Sequence, residues 1–173
     1  LNDLLTTSTL TNILFNEAVG GDKTPDTLTR IDSILERHPG SNRALMMLGT
    51  NDSGGSTPLS SSQYKDNMQL LANRMIARGK SVWISLIPPA LPYAENATRN
   101  GDIEGYNAAI KTMSNIQIGP DFFSFFYDDN QTPGNSNDDN ERLSLYYDNF
   151  HPNALGSRIM SILWANSLTG STT

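Results

Sequence analysis

The sequence contains no cysteine, no long apolar run and only two histidines. Without cysteine, disulfide frameworks, thiol nucleophiles and thiolate metal sites are excluded. No apolar stretch approaches the roughly 20 residues that cross a bilayer, and the first residues have no basic segment leading into an apolar one. We therefore predict no membrane span, and these residues contain no recognisable signal peptide.

Positive charge is also scarce. There are 12 Lys and Arg against 18 Asp and Glu, which gives a formal net charge of -6 and a pI near 4.7. Because no basic stretch is available to neutralise phosphates, nucleic acids and anionic membranes are disfavoured as partners. A length of 173 residues with 37% hydrophobic residues is typical of one domain, here predicted to span residues 1–173.

Apolar stretches alternate with helical patterns along the chain, which predicts an α/β fold with a parallel sheet. We predict strands at 10–19, 44–48, 81–87 and 121–127. We predict helices from Thr24 to the His38-Pro39-Gly40 stop, from Ser60–Ser62 to Gly79, at 102–114 and at 153–168. Ligands of such sheets bind beyond the carboxyl ends of the strands. The turns at Gly20-Gly21, Asn51, Pro88 and just before Asn153 should therefore converge.

The two histidines have different settings. His151 lies three residues after Asp148 and just before a predicted helix, so the carboxylate could orient one ring nitrogen while the other faces a substrate. A loop histidine that happens to follow an aspartate fits the spacing equally well. His38 stands between a helix and Pro39-Gly40, where a solvated helix-stop role is favoured over catalysis.

Two polar turns could stabilise developing negative charge. Asn51 ends a strand in Gly49-Thr50-Asn51-Asp52, where its side chain could donate to an oxyanion, although Asn and Asp also form turns and caps. The glycines of Gly20-Gly21-Asp22 permit a backbone N–H to approach a ligand closely, and tight turning explains them equally well.

Together these segments resemble the blocks of the SGNH (GDSL-type) hydrolase family, over nearly the whole chain. Residues 16–22 (Asn-Glu-Ala-Val-Gly-Gly-Asp) resemble the second block, 49–52 the third, and 148–153 with Gly156 the fifth. The resemblance implies a three-layer α/β/α flavodoxin-like sandwich with a parallel sheet. It also implies ester hydrolysis that needs neither cofactor nor metal.

The resemblance assigns roles to four residues. The backbone N–H of Gly21 and the side-chain amide of Asn51 would form the oxyanion hole. His151 would act as general base and then general acid, and Asp148 would orient it.

The family's first block, a Gly-Asp-Ser carrying the nucleophile, is absent from these residues. In the family it ends a central strand, and loss of that strand would expose two sheet edges and much apolar surface. We therefore expect an N-terminal segment of the same protein, outside this chain, to carry the serine and the central strand, with residues 1–5 as the tail of the family's first helix. Two serines of this chain could serve as replacement nucleophiles, and neither is favoured. Ser53 follows Asn51 on the same loop, so its hydroxyl would point away from His151. Ser8 lacks a glycine-rich strand-end setting and an adjacent base.

The favoured hypothesis is a serine esterase acting on a small-molecule ester, such as a short-chain acyl or acetyl ester of a lipid or carbohydrate. Abundant Asn, Ser and Thr, together with the family's habits, favour a secreted or periplasmic location. The alternative is an inactive module with the same fold that binds acylated sugars or lipids. A flavodoxin-like nucleotide binder using Gly20-Gly21 is disfavoured because the longer glycine pattern is missing.

The acidic residues near the C-terminal third permit a further interpretation. Hard cations such as calcium take oxygen ligands from such stretches, but the spacing does not fit an EF-hand, and a solvated loop is favoured. The residues concerned are Asp128, Asp129, Asp138, Asp139 and Glu141.

Overall fold

The computed structural model describes residues 13–129 and 139–170. Its helices are α1 Thr24–Arg37, α2 Ser61–Ala77, α3 Ala97–Ile110, α4 Phe122–Phe126 and α5 Ala154–Thr169. Its strands are β1 Arg43–Met46, β2 Ser81–Leu86, β3 Gln117–Asp121, β4 Tyr127–Asp129 and β5 Asp139–Glu141. Short 3-10 helices occupy Ala94–Asn96 and Leu143–Leu145. None of the helices in these ranges is both long enough and apolar enough to cross a membrane.

A parallel sheet with the order β1-β2-β3 forms the centre of the molecule. Arg43 pairs with Ser81 and Met46 with Ile84, so β1 and β2 run in register, while the β2–β3 ladder contains an irregularity beyond Ile84. A separate antiparallel pair joins β4 to β5. Within the described residues β1 pairs on one side only. The predicted α/β fold with a parallel sheet is confirmed.

Helices cover both faces of this sheet, as a three-layer sandwich requires. Val82, Ile84 and Leu86 of β2 face one core, which α1, α2 and α3 complete. Trp83 points to the opposite face and packs with α4 and α5 against Phe122 and Trp164. Successive side chains of β2 therefore point alternately into two apolar layers, which is typical of a parallel strand buried on both faces.

Local capping signals place the starts of α2 and α5 correctly. The hydroxyl oxygen of Ser60 accepts the N–H of Gln63 at 3.2 Å at the start of α2. The side chain of Asn153 accepts the N–H groups of Leu155 and Gly156, both at 3.0 Å, at the start of α5. These bonds satisfy donors that the first helical turn leaves unpaired. The third predicted helix also exists, but it spans Ala97–Ile110 rather than 102–114.

The aromatic strand predicted at 121–127 is wrong, because most of this segment is the short helix α4. Asp121 begins the helix by accepting the N–H of Ser124 at 2.9 Å. Phe122 and Phe126 are four residues apart and both fully buried, which is helical spacing. The neighbouring strand β3 lies just before this helix, in a more polar segment.

The strand predicted at 10–19 is also not observed where the structure describes it. Residues 13–19 form no regular element, and 10–12 lie outside the described residues. Side chains of α1 and its C-cap hold the segment: Arg30 donates to the carbonyl oxygen of Glu17 at 2.9 Å, and the Glu17 carboxylate binds Arg37 and His38. These polar contacts from a helix take the place of a strand ladder.

Candidate active site

Asp148 and His151 lie together on the turn before α5. One carboxylate oxygen of Asp148 is 2.8 Å from His151 Nδ1, and the other accepts the backbone N–H groups of Phe150 and His151, each at 2.8 Å. These hydrogen bonds lower the pKa of Asp148 to about 2, and the bond from the Phe150 N–H is the largest cause. A charged carboxylate thus holds the ring through Nδ1. The side chain of His151 is 76% exposed, so the ring is accessible from solvent.

The segment after β2 anchors this turn from the side of the sheet. Leu91 N–H donates to the carbonyl oxygen of Asn149 at 2.9 Å, and the Tyr146 hydroxyl donates to that of Pro89 at 2.9 Å. Burial raises the pKa of Tyr146, so its hydroxyl keeps the proton that this bond needs. The turn after β2 therefore meets the turn before α5, as the predicted convergence requires.

Asn51 lies on the turn that follows β1, and a glycine positions this turn. Gly49 has φ +129°, and a Cβ there would lie 2.3 Å from the Ile87 side chain, so the backbone passes close over Ile87. The amide Nδ2 of Asn51 donates to the carbonyl oxygen of Asp22 at 3.1 Å. Gly21, with φ +87°, immediately precedes Asp22. The structure thus brings the Asn51 and Gly21 turns together.

Asp52, part of the Gly49-Thr50-Asn51-Asp52 turn, has a structural role that the sequence reasoning did not assign to it. Its side chain is fully buried, and Oδ1 accepts the N–H of Thr24 at 3.0 Å and the Thr24 hydroxyl at 2.7 Å. Asn67 of α2 in turn donates to the Thr24 hydroxyl oxygen at 3.0 Å. The one available signal was that Lys23, which precedes α1, has no side-chain cap for the helix.

Arg99 of α3 is a residue that the sequence reasoning missed. Its Nη2 donates to the carbonyl oxygen of Thr50 at 2.5 Å, and its Nε donates to Ser53 Oγ at 3.3 Å. The guanidinium carbon lies 4.0 Å from the centre of the Phe150 ring. Arg99 therefore contacts both the turn of Asn51 and the turn of His151. No local sequence pattern marks it, because its partners are distant along the chain.

The serines considered as replacements have other settings. Ser53 is 5% exposed, its hydroxyl donates to the Thr50 carbonyl oxygen at 2.9 Å, and its oxygen accepts from Arg99. Its proton is therefore engaged in a backbone hydrogen bond. Ser8 lies outside the described residues.

His38 belongs to a different cluster. It is the C-cap of α1, its Nε2 lies 2.6 Å from Glu17 Oε1, and its ring stacks on Phe15 with centroids 4.1 Å apart. The predicted place at the helix end is observed, but the side chain is 18% exposed and paired rather than freely solvated.

Metal binding gains no support from the described part of the chain. Among the side chains that the structure describes, at 13–127 and 141–170, no three or more of His, Cys, Asp and Glu are arranged to hold a metal ion. Most of the acidic stretch considered for calcium falls at 128–140, whose side chains lie outside that description. Glu141, its described member, accepts the N–H of Tyr93 at 2.8 Å.

Comparison with known proteins gives a consistent family assignment. A model of the GDSL-like Lipase/Acylhydrolase family matches residues 1–159. A search of curated protein sequences gives no significant match.

Solved structures share the fold at low sequence identity. A catalytic mutant of Axe2, an acetylxylan esterase from Geobacillus stearothermophilus, matches with a TM-score of 0.74 and 15% identity over 96% of this chain and 77% of that one. The acetyl xylan esterase AlAXEase gives 0.66 and 17% over 90% and 78%. The psychrotrophic esterase EstA from Pseudoalteromonas sp. gives 0.64 and 17% over 91% and 77%. At these identities the likeness shows the fold.

Proposed function

This chain belongs to the GDSL-like lipase/acylhydrolase family, and from that premise we propose that the complete protein is a serine esterase that cleaves carboxyl esters through an acyl-enzyme. The observation that carries the proposal is the Asp148–His151 pair, with Nδ1 2.8 Å from the carboxylate. A histidine held in this way leaves Nε2 free to accept and return a proton. Hydrolysis of ester substrates in general agrees with the family and with the esterases that share the fold.

In the proposed reaction His151 Nε2 takes the proton of a serine hydroxyl as the serine oxygen attacks the ester carbonyl. Asp148 stabilises the resulting imidazolium, and His151 then donates that proton to the leaving alcohol. Water activated by the same histidine cleaves the acyl-enzyme, releases the acid and restores the serine. Each step exchanges one proton through one ring nitrogen.

The proposed oxyanion hole consists of the Gly21 backbone N–H and the Asn51 side-chain amide. An amide NH₂ has two donors, and one of them at Asn51 already binds the Asp22 carbonyl oxygen at 3.1 Å. That bond fixes the amide plane and leaves the second N–H for the substrate oxygen. Such preorganised donors lower the barrier because they need no rearrangement as charge develops.

We place the nucleophilic serine on a segment of the protein outside this chain. Among the described strands one edge of β1 has no partner, and this supports the location because such an edge of a parallel sheet can accept another strand. Apolar side chains exposed nearby in sequence support it further: Met47 is 41% exposed and Val19 is 53% exposed. A strand on that edge would end beside the turns of Gly21 and Asn51.

The substrate class that we propose is a short acyl ester, in particular an acetyl ester of a carbohydrate. Asp148 and His151 have side chains 44% and 76% exposed, so the site is open to a bulky alcohol. Two of the proteins that share the fold are acetylxylan esterases, which supports this choice.

The test is covalent labelling of the complete protein with a fluorophosphonate, followed by peptide mass spectrometry and assays on 4-nitrophenyl acetate and an acetylated xylo-oligosaccharide. We expect both esters to be hydrolysed and one serine outside this chain to carry the label. Labelling of Ser53 would overturn the location of the nucleophile. Absence of labelling and of hydrolysis would overturn the esterase proposal and favour the binding module, which equilibrium binding of the same oligosaccharide would then measure.

A further inference from the structure

We propose that Arg99 is a positioning residue that fixes the separation between two loops of the site, an inference that rests on the proposed function. The first is the oxyanion loop, residues 49–53, which carries Asn51. The second is the histidine loop, residues 148–151, which carries Asp148 and His151. Arg99 comes from α3, whose Tyr106 also contacts the oxyanion loop by donating its hydroxyl to the Asp52 carbonyl oxygen at 3.2 Å.

The guanidinium of Arg99 uses its edge and its face for different partners. In its plane it donates to the Thr50 carbonyl oxygen and to Ser53 Oγ, at 2.5 and 3.3 Å, and these two residues flank the Asn51–Asp52 pair. Its central carbon lies over the Phe150 ring, 4.0 Å from the ring centre. A planar, delocalised cation can make both contacts at once, which an ammonium group cannot.

Two of the three partners of Arg99, Thr50 and Phe150, are adjacent to groups with proposed roles. Thr50 precedes Asn51, so its carbonyl belongs to the peptide unit that leads into the oxyanion donor. Phe150 precedes His151, and its N–H donates to Asp148 Oδ1 at 2.8 Å. A shift of either partner would therefore move the oxyanion donor relative to the general base.

The guanidinium group of Arg99 is tightly packed against the backbone of the neighbouring loop. A Cβ placed on Gly54 would lie 2.7 Å from Nη2, so the backbone there lies directly against the guanidinium. Within the described residues no hydrogen bond joins the oxyanion loop to the histidine loop directly, and Arg99 forms no ion pair there. Burial lowers the pKa of Arg99. A half-buried cation without a carboxylate partner is better explained by its directional contacts than by charge pairing.

The test compares Arg99→Ala and Arg99→Lys with Arg142→Ala in the complete protein. Lysine keeps the charge and a long apolar stem but loses the plane and the in-plane donors. Arg142 is the matched control because its guanidinium carbon also lies over a phenylalanine, 4.2 Å from the ring centre of Phe125. We expect both Arg99 variants to lower kcat about 10- to 100-fold, with KM changed less than about threefold, since a displacement near 1 Å has this cost.

A second measurement does not depend on turnover. In ¹⁵N NMR spectra we expect Arg99→Ala to shift the Asn51 side-chain amide and the His151 ring nitrogens together, and Arg142→Ala to leave both unchanged. Full kcat in Arg99→Lys, or unchanged Asn51 and His151 signals in Arg99→Ala, would overturn the positioning role. If the wild-type protein hydrolyses no ester, the proposed function fails, and the NMR comparison still decides whether Arg99 couples the two loops. The lysine variant keeps the test decisive if the alanine variant does not fold.

Discussion

The Asp52 carboxylate on the oxyanion loop binds Thr24, the first residue of α1, through both the N–H at 3.0 Å and the hydroxyl at 2.7 Å. The N–H is one of those that a helix start leaves unpaired, and the negative charge lies at the positive end of the helix dipole. Helix α1 begins two residues after the Gly21–Asp22 turn, and Asp52 follows Asn51 directly. The contact between Asp52 and Thr24 therefore holds the turn of Gly21 next to the turn of Asn51.

Replacement of Asp52 by alanine is expected to lower the free energy of unfolding by about 2 to 3 kcal/mol. The substitution removes the cap and leaves the buried N–H of Thr24 without an acceptor, which carries a desolvation cost. Urea denaturation followed by circular dichroism measures the loss.

The control for Asp52 is Asp26→Ala at the same helix start. Asp26 accepts the N–H of Lys23 at 2.9 Å, but this contact is exposed, so we expect a loss below about 1 kcal/mol. Equal losses in the two variants would contradict the special role of the buried cap.

Replacement of Asn51 by alanine is expected to lower kcat about 100- to 1,000-fold in the complete protein, with a smaller change in KM. The reason is the loss of one oxyanion donor, which acts chiefly in the transition state. Steady-state kinetics on 4-nitrophenyl acetate measure the effect. Asn67→Ala removes another amide donor, that to the Thr24 hydroxyl, and should retain kcat within about threefold. Comparable losses in both variants would indicate a general structural effect instead of an oxyanion hole.

Local signals explain which parts of the fold were predictable. The starts of α2 and α5 follow from Ser60 and Asn153, whose side chains cap N–H groups two or three residues away. The segment that became α4 has four phenylalanines in five residues, and the prediction followed the preference of aromatic residues for strands instead of the helical spacing of Phe122 and Phe126. In the structure Asp121 caps this helix by accepting the N–H of Ser124. The general preference of aromatic residues for β-strands was misleading here.

The same distinction applies to the candidate site. Asp148 and His151 are three residues apart, so their pairing is visible in the sequence. The Asp52–Thr24 contact spans 28 residues and the Arg99–Thr50 contact spans 49, so both depend on how the elements pack. The resemblance to the family, carried by short motifs, indicated the proposed chemical groups, whereas the residues that hold them in place required the tertiary structure.

The Asp148 carboxyl is expected to titrate with a midpoint of about 2 in ¹³C NMR spectra. In His151→Ala the pKa should rise but stay below its ordinary value of 3.8, because the Phe150 N–H, the largest cause of the depression, is retained. Because folding lowers this pKa, the ionised carboxylate stabilises the folded state at pH values above the ordinary pKa of 3.8. That stabilisation is lost as the pH falls through about 2.

Glu17 provides an internal control for this titration. Its pKa is also lowered to about 2, first by its hydrogen bond to Arg37 and then by that to His38. It should therefore keep its midpoint in His151→Ala. A shift of both carboxyls would show a global change of structure, and an unchanged Asp148 midpoint would contradict the contribution of the His151 ring.

Replacement of Gly156 by alanine is expected to destabilise the protein by about 1 to 3 kcal/mol. Gly156 lies in the first turn of α5, and a Cβ there would lie 2.3 Å from the carbonyl oxygen of Leu145 and 3.0 Å from Pro152. Backbone is less able to yield than the end of a side chain, so the segment that carries Asp148 and His151 must shift. Thermal unfolding measures the loss of stability.

Gly101→Ala is the matched substitution, because Gly101 lies within α3 and a Cβ there meets no atom within 4 Å. Alanine favours a helix over glycine by about 1 kcal/mol, so the melting temperature should rise in this variant and fall in Gly156→Ala. Opposite signs for the same chemical change would show that the close approach of α5 to Leu145 decides the effect. If both variants are stabilised, the segment before α5 can yield without cost, and a rigid histidine loop would have to depend on the Arg99–Phe150 contact and on the Leu91–Asn149 hydrogen bond instead.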